Sequence, residues 1–327
     1  MESEPLVVVW RVTERCNLSC GFCAYDRRLT RTRREADPQM LVDFGAVLAH
    51  FAHETGRRVL VSWLGGEPLL WRPLREITRR FRDEFGLSMS VTTNGTVFGE
   101  AGMRADLLSH YAELTVSVDG LGSVHDVSRG WANGFDKLRE GVRALTEEKR
   151  ARRSGPVLRA NVLLMRSTIA QFAGLCRELA TWGIEEITFN QLGGNDRPEF
   201  FPENRLLTEQ VTAFAARIPA LREELNARGV RLMGSEAYLS RLIASTRDAR
   251  ISVGDCLPGE TFLFIDEAGI AAPCSFTAPS YGVPLSEIST VAALRALPEH
   301  FRKLRRCRRD AACEDCHSTR VFEKFAA

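Results

Sequence analysis

The chain has 327 residues, of which 44% are hydrophobic and 26% charged, and its formal net charge is +2. This length and composition can bury a large core, in one barrel-sized domain with a smaller one, and the small net charge implies no polyanionic partner such as nucleic acid. Nine cysteines without a secretory leader favour thiolate ligation in a reducing compartment, which predicts a cytoplasmic protein rather than a disulfide-bonded secreted one. No apolar run approaches the ~18 residues that span a membrane, so no membrane association is expected.

Strand-like and helical segments alternate along the first 200 residues. Strands are predicted at 6–12, 59–64, 88–93, 113–118, 157–165 and 185–190. Helices are predicted between them at about 40–52, 74–85, 101–110, 135–149 and 169–182. Strand–helix units in series predict an α/β fold whose parallel sheet forms a partial (β/α)6 barrel, with its chemistry at the carboxyl ends of the strands.

Three cysteines follow the first predicted strand. Cys16, Cys20 and Cys23 have the spacing C-x₃-C-x₂-C and supply three thiolates from one short loop. This set suits an iron–sulfur cluster and leaves one iron without a protein ligand. The alternative is a zinc site, but zinc prefers four N or S ligands, and no further Cys or His follows until His50.

The triplet resembles the motif of the radical S-adenosylmethionine (SAM) superfamily. The resemblance implies a [4Fe–4S] cluster whose open iron binds SAM, and an electron donor such as flavodoxin or ferredoxin. In that family an electron from the cluster cleaves SAM, and the resulting 5′-deoxyadenosyl radical abstracts a hydrogen atom from the substrate. Phe22 resembles the family's aromatic residue that packs on adenine. Tyr25 and Asp26 follow closely enough to face the reaction chamber, so both are candidate catalytic residues.

Residues at the ends of the next two strands extend the resemblance. Gly65, Gly66 and Glu67 resemble the family's Gly-Gly-Glu motif, which contacts the SAM amino group, and paired glycines would let a ligand approach the backbone. The alternative is that Gly-Gly-Glu-Pro only forms a turn. Asn94, in the Thr-Asn-Gly segment after the third strand, is a further candidate SAM contact.

The residue pattern of the fourth and fifth predicted strands indicates a polar face on each strand. The two-residue period places Ser117 and Asp119 on one face, and in relatives these residues lie near the SAM ribose or the substrate. The alternative for Asp119 is that it only opens a turn. Arg159 and Asn161 share a face of the next strand, where Arg159 would need an anion: the SAM carboxylate, or an ion pair with Glu67 or Asp119.

The last part of the chain carries a second set of cysteines. Helices are predicted at about 207–225 and 236–247, followed by a hairpin with a strand at 261–265. Cys256 and Cys274 flank this hairpin, and Cys313 and Cys316 form a C-x₂-C pair. The arrangement resembles the extension of SPASM/twitch radical SAM enzymes, which holds auxiliary iron–sulfur clusters.

Full SPASM proteins have seven cysteines and two auxiliary clusters, so the resemblance implies a single auxiliary cluster here, on Cys256, Cys274, Cys313 and Cys316. A structural zinc on these residues is the alternative. We expect three parts: a radical SAM partial barrel at 1–200, a helical connector at 201–250 and a twitch/SPASM-like domain at 251–327. Cys307 is an alternate ligand, a vestige, or a catalytic thiol that returns a hydrogen atom to a substrate radical, as in an epimerase.

These features predict a radical SAM oxidoreductase that dehydrogenates or epimerises a sugar-like or aminocyclitol-like metabolite. A small-molecule substrate is favoured because peptide-modifying relatives often carry an N-terminal leader-recognition domain, and here the first cluster cysteine is residue 16. The alternative substrate is a ribosomally made peptide. A zinc-binding scaffold without catalysis is the alternative of a different class.

Overall fold

The computed structural model describes residues 4–326. The strands are β1 Leu6–Thr13, β2 Val59–Gly65, β3 Ser88–Thr93, β4 Glu113–Ser117, β5 Val157–Leu164, β6 Glu186–Gln191, β7 Arg231–Leu232, β8 Phe262–Ile265, β9 Ile270–Ala272 and β10 Val283–Pro284. The helices are α1 Pro38–Thr55, α2 Leu74–Asp83, α3 Ala101–His110, α4 Ser123–Arg129, α5 Gly134–Arg152, α6 Phe172–Trp182, α7 Phe201–Asn204, α8 Thr208–Asn226, α9 Glu236–Thr246, α10 Ala278–Tyr281, α11 Val291–Cys307 and α12 Ala311–Glu314.

All of these strands belong to one sheet in the order β10-β9-β8-β1-β2-β3-β4-β5-β6-β7. Strands β1 to β7 are parallel and pair in chain order, and β8 pairs in parallel with β1. The sheet is not closed, because β7 and β10 are its two ends. The predicted α/β fold with a partial barrel is therefore confirmed.

The two faces of the sheet have different surroundings. The outer face packs on the helices: Trp10 of β1 meets Phe44 of α1 at 5.8 Å between ring centroids, and Trp63 of β2 meets Phe81 of α2 at 5.4 Å. Residues one position away, such as Arg11, point to the other face. We call the space inside this second face the lumen.

The strands contribute polar and charged residues to the lumen face, in register with one another. Thr115 of β4 pairs with Arg159 of β5, and Asn161 pairs with Ser117 on one side and Thr188 of β6 on the other. A barrel that served only as a hydrophobic core would fill this space with apolar side chains. The lumen therefore has the character of a ligand chamber.

The predicted domain limits are not visible as a break in the sheet. Strand β8 lies in the segment 251–327 and yet extends the sheet of the barrel through β1. The proposed three-part division thus stays a prediction. Across residues 4–326, no helix combines the length and the apolar character needed to cross a bilayer.

Candidate active site

The cysteine loop follows β1, at the carboxyl edge of the sheet. Cys20 is buried, Cys16 and Cys23 are half-buried, and all three are free thiols. The backbone N–H groups of Leu18 and Tyr25 point at the sulfurs of Cys16 and Cys23, at 3.5 and 3.4 Å. N–H donors aimed at sulfur are typical of iron–sulfur ligands, whose potential they tune.

Asn94 lies beside this loop, as its position after β3 suggests. Its Nδ2 atom donates to Oδ1 of Asn17 at 2.9 Å and lies 3.8 Å from the sulfur of Cys16. Its own Oδ1 accepts from the N–H and the hydroxyl of Thr96. The side chain is thus fixed next to a cluster cysteine.

Glu67 is fully buried, and its carboxylate faces protein donors. It accepts the Thr93 hydroxyl at 2.7 Å, the Asn94 N–H at 2.7 Å and the Leu69 N–H at 3.2 Å. Burial raises the pKa of Glu67 to about 7, although these hydrogen bonds oppose the rise. Glu67 therefore joins the loops after β2 and β3, and the contact of the Gly-Gly-Glu motif with the SAM amino group stays a prediction.

Gly65 and Gly66 also have a backbone-packing role that the sequence did not predict. A Cβ atom on Gly65 would lie 2.3 Å from the Thr13 carbonyl oxygen, and one on Gly66 would lie 2.2 Å from that of Arg15. The Gly66 N–H donates to Thr13 at 2.7 Å, and the Glu67 N–H donates to Arg15 at 2.8 Å. These glycines let the backbone approach the strand that leads into the cysteine loop, and their contact with SAM stays a prediction.

Arg129, at the end of α4, reaches into the same site. Its Nε lies 2.6 Å from Oδ2 of Asp119, and its guanidinium lies 5.4 Å from the centre of the Phe22 ring. Its carbonyl oxygen accepts the N–H of Ser19 at 3.3 Å and lies 3.7 Å from the sulfur of Cys20. Burial opposes the charged form, but Asp119 and the neighbouring thiols raise the pKa of Arg129.

The sequence did not predict the position of Arg129 beside the cluster loop. The only signal was its place in the segment after the Asp-Gly turn at the end of β4. Asp119 does more than open that turn, because its Oδ1 also accepts the Leu163 N–H at 3.0 Å. Phe22 stacks on a guanidinium in this structure.

Asp26 follows the cysteine loop and stabilises it through ion pairs. Its buried carboxylate binds Arg28, with Nη2 at 2.7 Å, and has Nη1 of Arg197 at 3.4 Å. Arg28 chiefly lowers the pKa of Asp26, to about 2. A carboxylate held so firmly in its ionised form is a poor proton acceptor near neutral pH, so the predicted catalytic role of Asp26 is not supported.

Tyr25 is half-buried beside the lumen. Its ring lies 5.7 Å from the guanidinium of Arg31, and burial raises its pKa to about 12, while the charge of Arg11 opposes this rise. Arg11 is paired with Glu267, which belongs to the turn between β8 and β9, at 2.5 Å. Tyr25 thus stays a candidate for a residue that faces the substrate.

Arg159 is placed differently from the prediction. It lies near the amino end of β5, where it binds Glu113 at 2.9 Å and Glu186 at 2.5 Å. Within residues 4–326 it makes no ion pair with Glu67 or Asp119. The two-residue period gave its face correctly, but two glutamates on the flanking strands already supply its counter-charge.

The other two predicted polar residues lie further up the lumen. Ser117 ends β4 and is half-buried, and Asn161 stands next to it in register. Asn161 accepts the Thr188 hydroxyl at 3.1 Å and the Nζ group of Lys324 at 2.8 Å. Lys324 comes from the end of the chain and was not predicted at this place.

The second set of cysteines lines one cavity, which β8 and α11 border. The cavity is mostly apolar, and its wall includes Cys256, Cys274, Cys313 and Cys316 together with Phe301 and Arg305. Four free thiols around one apolar cavity are the donor set of a cysteine-ligated iron–sulfur cluster, and also of a structural zinc. In the part of the chain that the structure describes, no three Cys, His, Asp or Glu side chains converge tightly enough to enclose a single metal ion.

Cys307 is separate from this cavity. It is the last residue of α11, its side chain is exposed, and it is absent from the cavity wall. A thiol that returns a hydrogen atom must reach the substrate radical, whereas α11 packs against α1 on the helical side of the sheet. The position of Cys307 therefore does not support the predicted catalytic role.

Comparison with known proteins gives the arrangement a family. The family model of the Radical SAM superfamily matches residues 10–158. A PqqA peptide cyclase of Xanthomonas euvesicatoria pv. vesicatoria (strain 85-10) is 29% identical over 224 residues, which are 64% of this chain and 55% of that protein. A pre-heme d1 synthase of Dinoroseobacter shibae is 33% identical over 147 residues, 42% of this chain and 33% of that protein.

Solved structures share the fold. The anSMEcpe structure with bound AdoMet and Cp18Cys peptide has a TM-score of 0.67 at 16% identity, covering 97% of this chain and 88% of that one. Streptococcus suis SuiB bound to S-adenosylmethionine has a TM-score of 0.62 at 18% identity, covering 84% of this chain and 61% of that one. The chain spans about half the length of the PqqA peptide cyclases that it matches. The cysteine triplet at the carboxyl edge of the open parallel barrel lies within the matched segment, so residues 10–158 carry a domain of the Radical SAM superfamily.

Proposed function

We propose that this protein is a radical SAM enzyme that modifies a peptide. The observation that carries the proposal is the cysteine loop at the mouth of a polar lumen, in a chain whose residues 10–158 match the superfamily. The choice of a peptide is supported by the relatives named PqqA peptide cyclase and by the similar folds of SuiB and anSMEcpe, both solved with peptides bound.

Cys16, Cys20 and Cys23 would hold the catalytic cluster, which when bound supplies the electron that cleaves SAM. The chain's own residues position the cofactors. Asn94 stands beside Cys16. Arg129 is oriented by its pairing with Asp119 through Nε, and its remaining guanidinium N–H groups would donate to the carboxylate of SAM.

Cys256, Cys274, Cys313 and Cys316 would hold one auxiliary cluster in the cavity that they line. Arg305 borders that cavity, and its guanidinium donates to the Gly254 carbonyl at 2.9 Å. This bond ties the segment before Cys256 to α11. The cavity thus has a rigid wall, as a preorganised ligand set requires.

The comparisons support the peptide alternative more than the sugar-like or aminocyclitol-like metabolite predicted first. An epimerase would need a thiol in the chamber, and Cys307 is exposed at the end of α11. Dehydrogenation of a peptide side chain, or a cross-link formed with loss of two electrons, remains compatible with a second cluster as electron acceptor.

The test is anaerobic purification followed by reduction in the presence of SAM. Synthetic peptides encoded by short reading frames next to the gene serve as substrates. We expect 5′-deoxyadenosine, and a peptide whose mass has changed. If 5′-deoxyadenosine is released and every peptide stays unaltered, but a sugar-like metabolite is oxidised, the substrate is the metabolite and not a peptide. A colourless protein that contains zinc and leaves SAM intact would contradict the proposal that the protein is a radical SAM enzyme.

A further inference from the structure

The end of the chain crosses the open side of the barrel. Arg320 donates to the carbonyl of Thr261, just before β8, at 3.2 Å. The carbonyl of Glu323 accepts the N–H of Ser235, just after β7, at 3.3 Å. Strand β7 is one end of the sheet, and β8 belongs to the three strands at the other end. Residues 318–326, the C-terminal tail, therefore span the gap between the two ends.

The tail carries Lys324 into the lumen. Its Nζ lies 2.8 Å from Oδ1 of Asn161, and the residue is only 6% exposed. Asn161 is on the lumen face of β5, and its Oδ1 also accepts from Thr188 at 3.1 Å and from Asn190 at 3.3 Å. Lys324 thus reaches from the tail into the lumen as far as β5.

The charges around Lys324 do not cancel. Below it, Arg159 binds both Glu113 and Glu186, and Glu186 also pairs with Arg231. Those two cations and two anions balance one another, and Lys324 adds one positive charge when it is protonated. Among residues 4–326, Lys324 has no carboxylate within ion-pair distance.

The other arginines that project into the lumen are compensated. Arg11 is paired with Glu267, and Arg129 with Asp119. A buried charge without a partner is costly, so the pKa of the group shifts toward the neutral form unless a ligand supplies the counter-charge.

The choice of lysine is also unusual for this chain. Only four of its 44 basic residues are lysines. Lys137 and Lys303 are exposed, and Lys149 is paired with Glu185. Lys324 is the buried one. A lysine presents a compact charge on a flexible stem, which suits an anion of variable position.

We propose that Lys324 is a specificity-determining residue, whose ammonium group binds a carboxylate of the substrate in the lumen, with Asn161 holding the ammonium in place. The inference rests on the proposed function in one respect, namely that the lumen receives a peptide, whose acidic side chain or terminus carries the carboxylate. Burial, and to a lesser extent the charge of Arg159, lower the pKa of Lys324 to about 7. A carboxylate that binds beside it would raise that pKa again.

The test measures this rise directly in the holoenzyme with SAM bound. Protein labelled with ¹³C at lysine Cε gives one signal per lysine, and Lys324→Arg and Lys303→Arg variants assign the two relevant ones. The probe is N-acetylglutamate α-methylamide, and its isosteric control is N-acetylglutamine α-methylamide at equal ionic strength. We expect the carboxylate probe to raise the pKa of Lys324 by about one unit or more, and the amide control to leave it unchanged. An unchanged pKa with both compounds, or equal shifts with both, would overturn the proposal.

Kinetics with an accepted peptide provide the second arm. If Lys324 binds a carboxylate, Lys324→Met raises KM about tenfold, while Lys324→Arg, which keeps the charge, raises it much less. An unchanged KM in a folded Lys324→Met variant would contradict the proposal. The two readouts also separate the anion site at Lys324 from the proposed peptide substrate. If the probe shifts the pKa of Lys324 in an enzyme that accepts no peptide, the anion site stands and only the proposal of a peptide substrate is refuted.

Discussion

The guanidinium of Arg129 lies 2.6 Å from the carboxylate of Asp119 beside the cluster loop; Asp119 is buried, and the Arg129 side chain is 12% exposed. Because Asp119 is shielded from water, removal of Arg129 leaves a buried carboxylate without its counter-charge. We expect Arg129→Met to lower the free energy of unfolding by about 3 kcal/mol.

The double variant Arg129→Met with Asp119→Asn tests this coupling. It should lose clearly less than the sum of the two single variants, because it contains no lone buried charge. Thermal unfolding of the purified variants measures both quantities. Additive losses would show that the pair is not coupled. The exposed pair Arg177 and Glu224 is the matched surface control, and breaking it should change little.

The raised pKa of Glu67 should make the free energy of unfolding depend on pH. Its pKa in the folded protein is about 7, above the ordinary 4.5, so the folded state keeps a proton that the unfolded chain has released. The contribution of Glu67 is therefore greatest below pH 4.5 and decreases as the pH rises through 7. Glu67→Gln removes this titration, and we expect its unfolding temperature to fall less than that of the wild type between pH 5 and 7.5. Parallel curves for both proteins would contradict this assignment.

Gly66 predicts a steric effect. A Cβ atom there would lie 2.2 Å from the Arg15 carbonyl, so Gly66→Ala must separate the β2 loop from the strand that leads to Cys16. We expect a loss of at least about 2 kcal/mol and a reduced iron content after reconstitution. Gly102, inside α3, has open space at its Cβ position and serves as the control. Gly102→Ala should be neutral or stabilise the protein, since alanine is the better helix former. Equal effects of the two substitutions would refute the steric argument.

We expect replacement of Asp26 to alter the structure of the cysteine loop rather than the acid–base chemistry of turnover. Its pKa of about 2 lies below the ordinary 3.8, so its contribution is present above pH 3.8 and is lost as the pH falls through 2. Asp26→Asn should loosen the contact with Arg28 and Arg197, and faster amide exchange in residues 16–28 would report this. The pH dependence of turnover should keep its shape. Loss of the acidic limb, on which activity falls with falling pH, would restore Asp26 as a base.

The sequence predicted strands β1 to β6 of the barrel, since each has buried apolar residues on its outer face and a helical segment follows. It did not predict the short strand β7. It also predicted which face of a strand a polar residue occupies, as for Arg159 and Asn161. The sequence could not predict how far along the strand such a residue lies from the carboxyl end, or which residue it pairs with. Arg159 was therefore expected near SAM, whereas it binds Glu113 and Glu186. Contacts between distant parts of the chain were equally inaccessible. Local pattern gives no sign that Lys324 meets Asn161.

The most direct test of the account is the iron content of three anaerobically reconstituted proteins. The wild type should bind about eight iron and eight sulfide per chain, as two [4Fe–4S] clusters, and cleave SAM on reduction. The variant with alanine at Cys16, Cys20 and Cys23 should keep about four iron and lose SAM cleavage, and the variant with alanine at Cys313 and Cys316 should also keep about four. A Cys307→Ala protein, as the control, should equal the wild type. Four iron in the wild type, or zinc in place of iron at either set of cysteines, would contradict a two-cluster radical SAM enzyme.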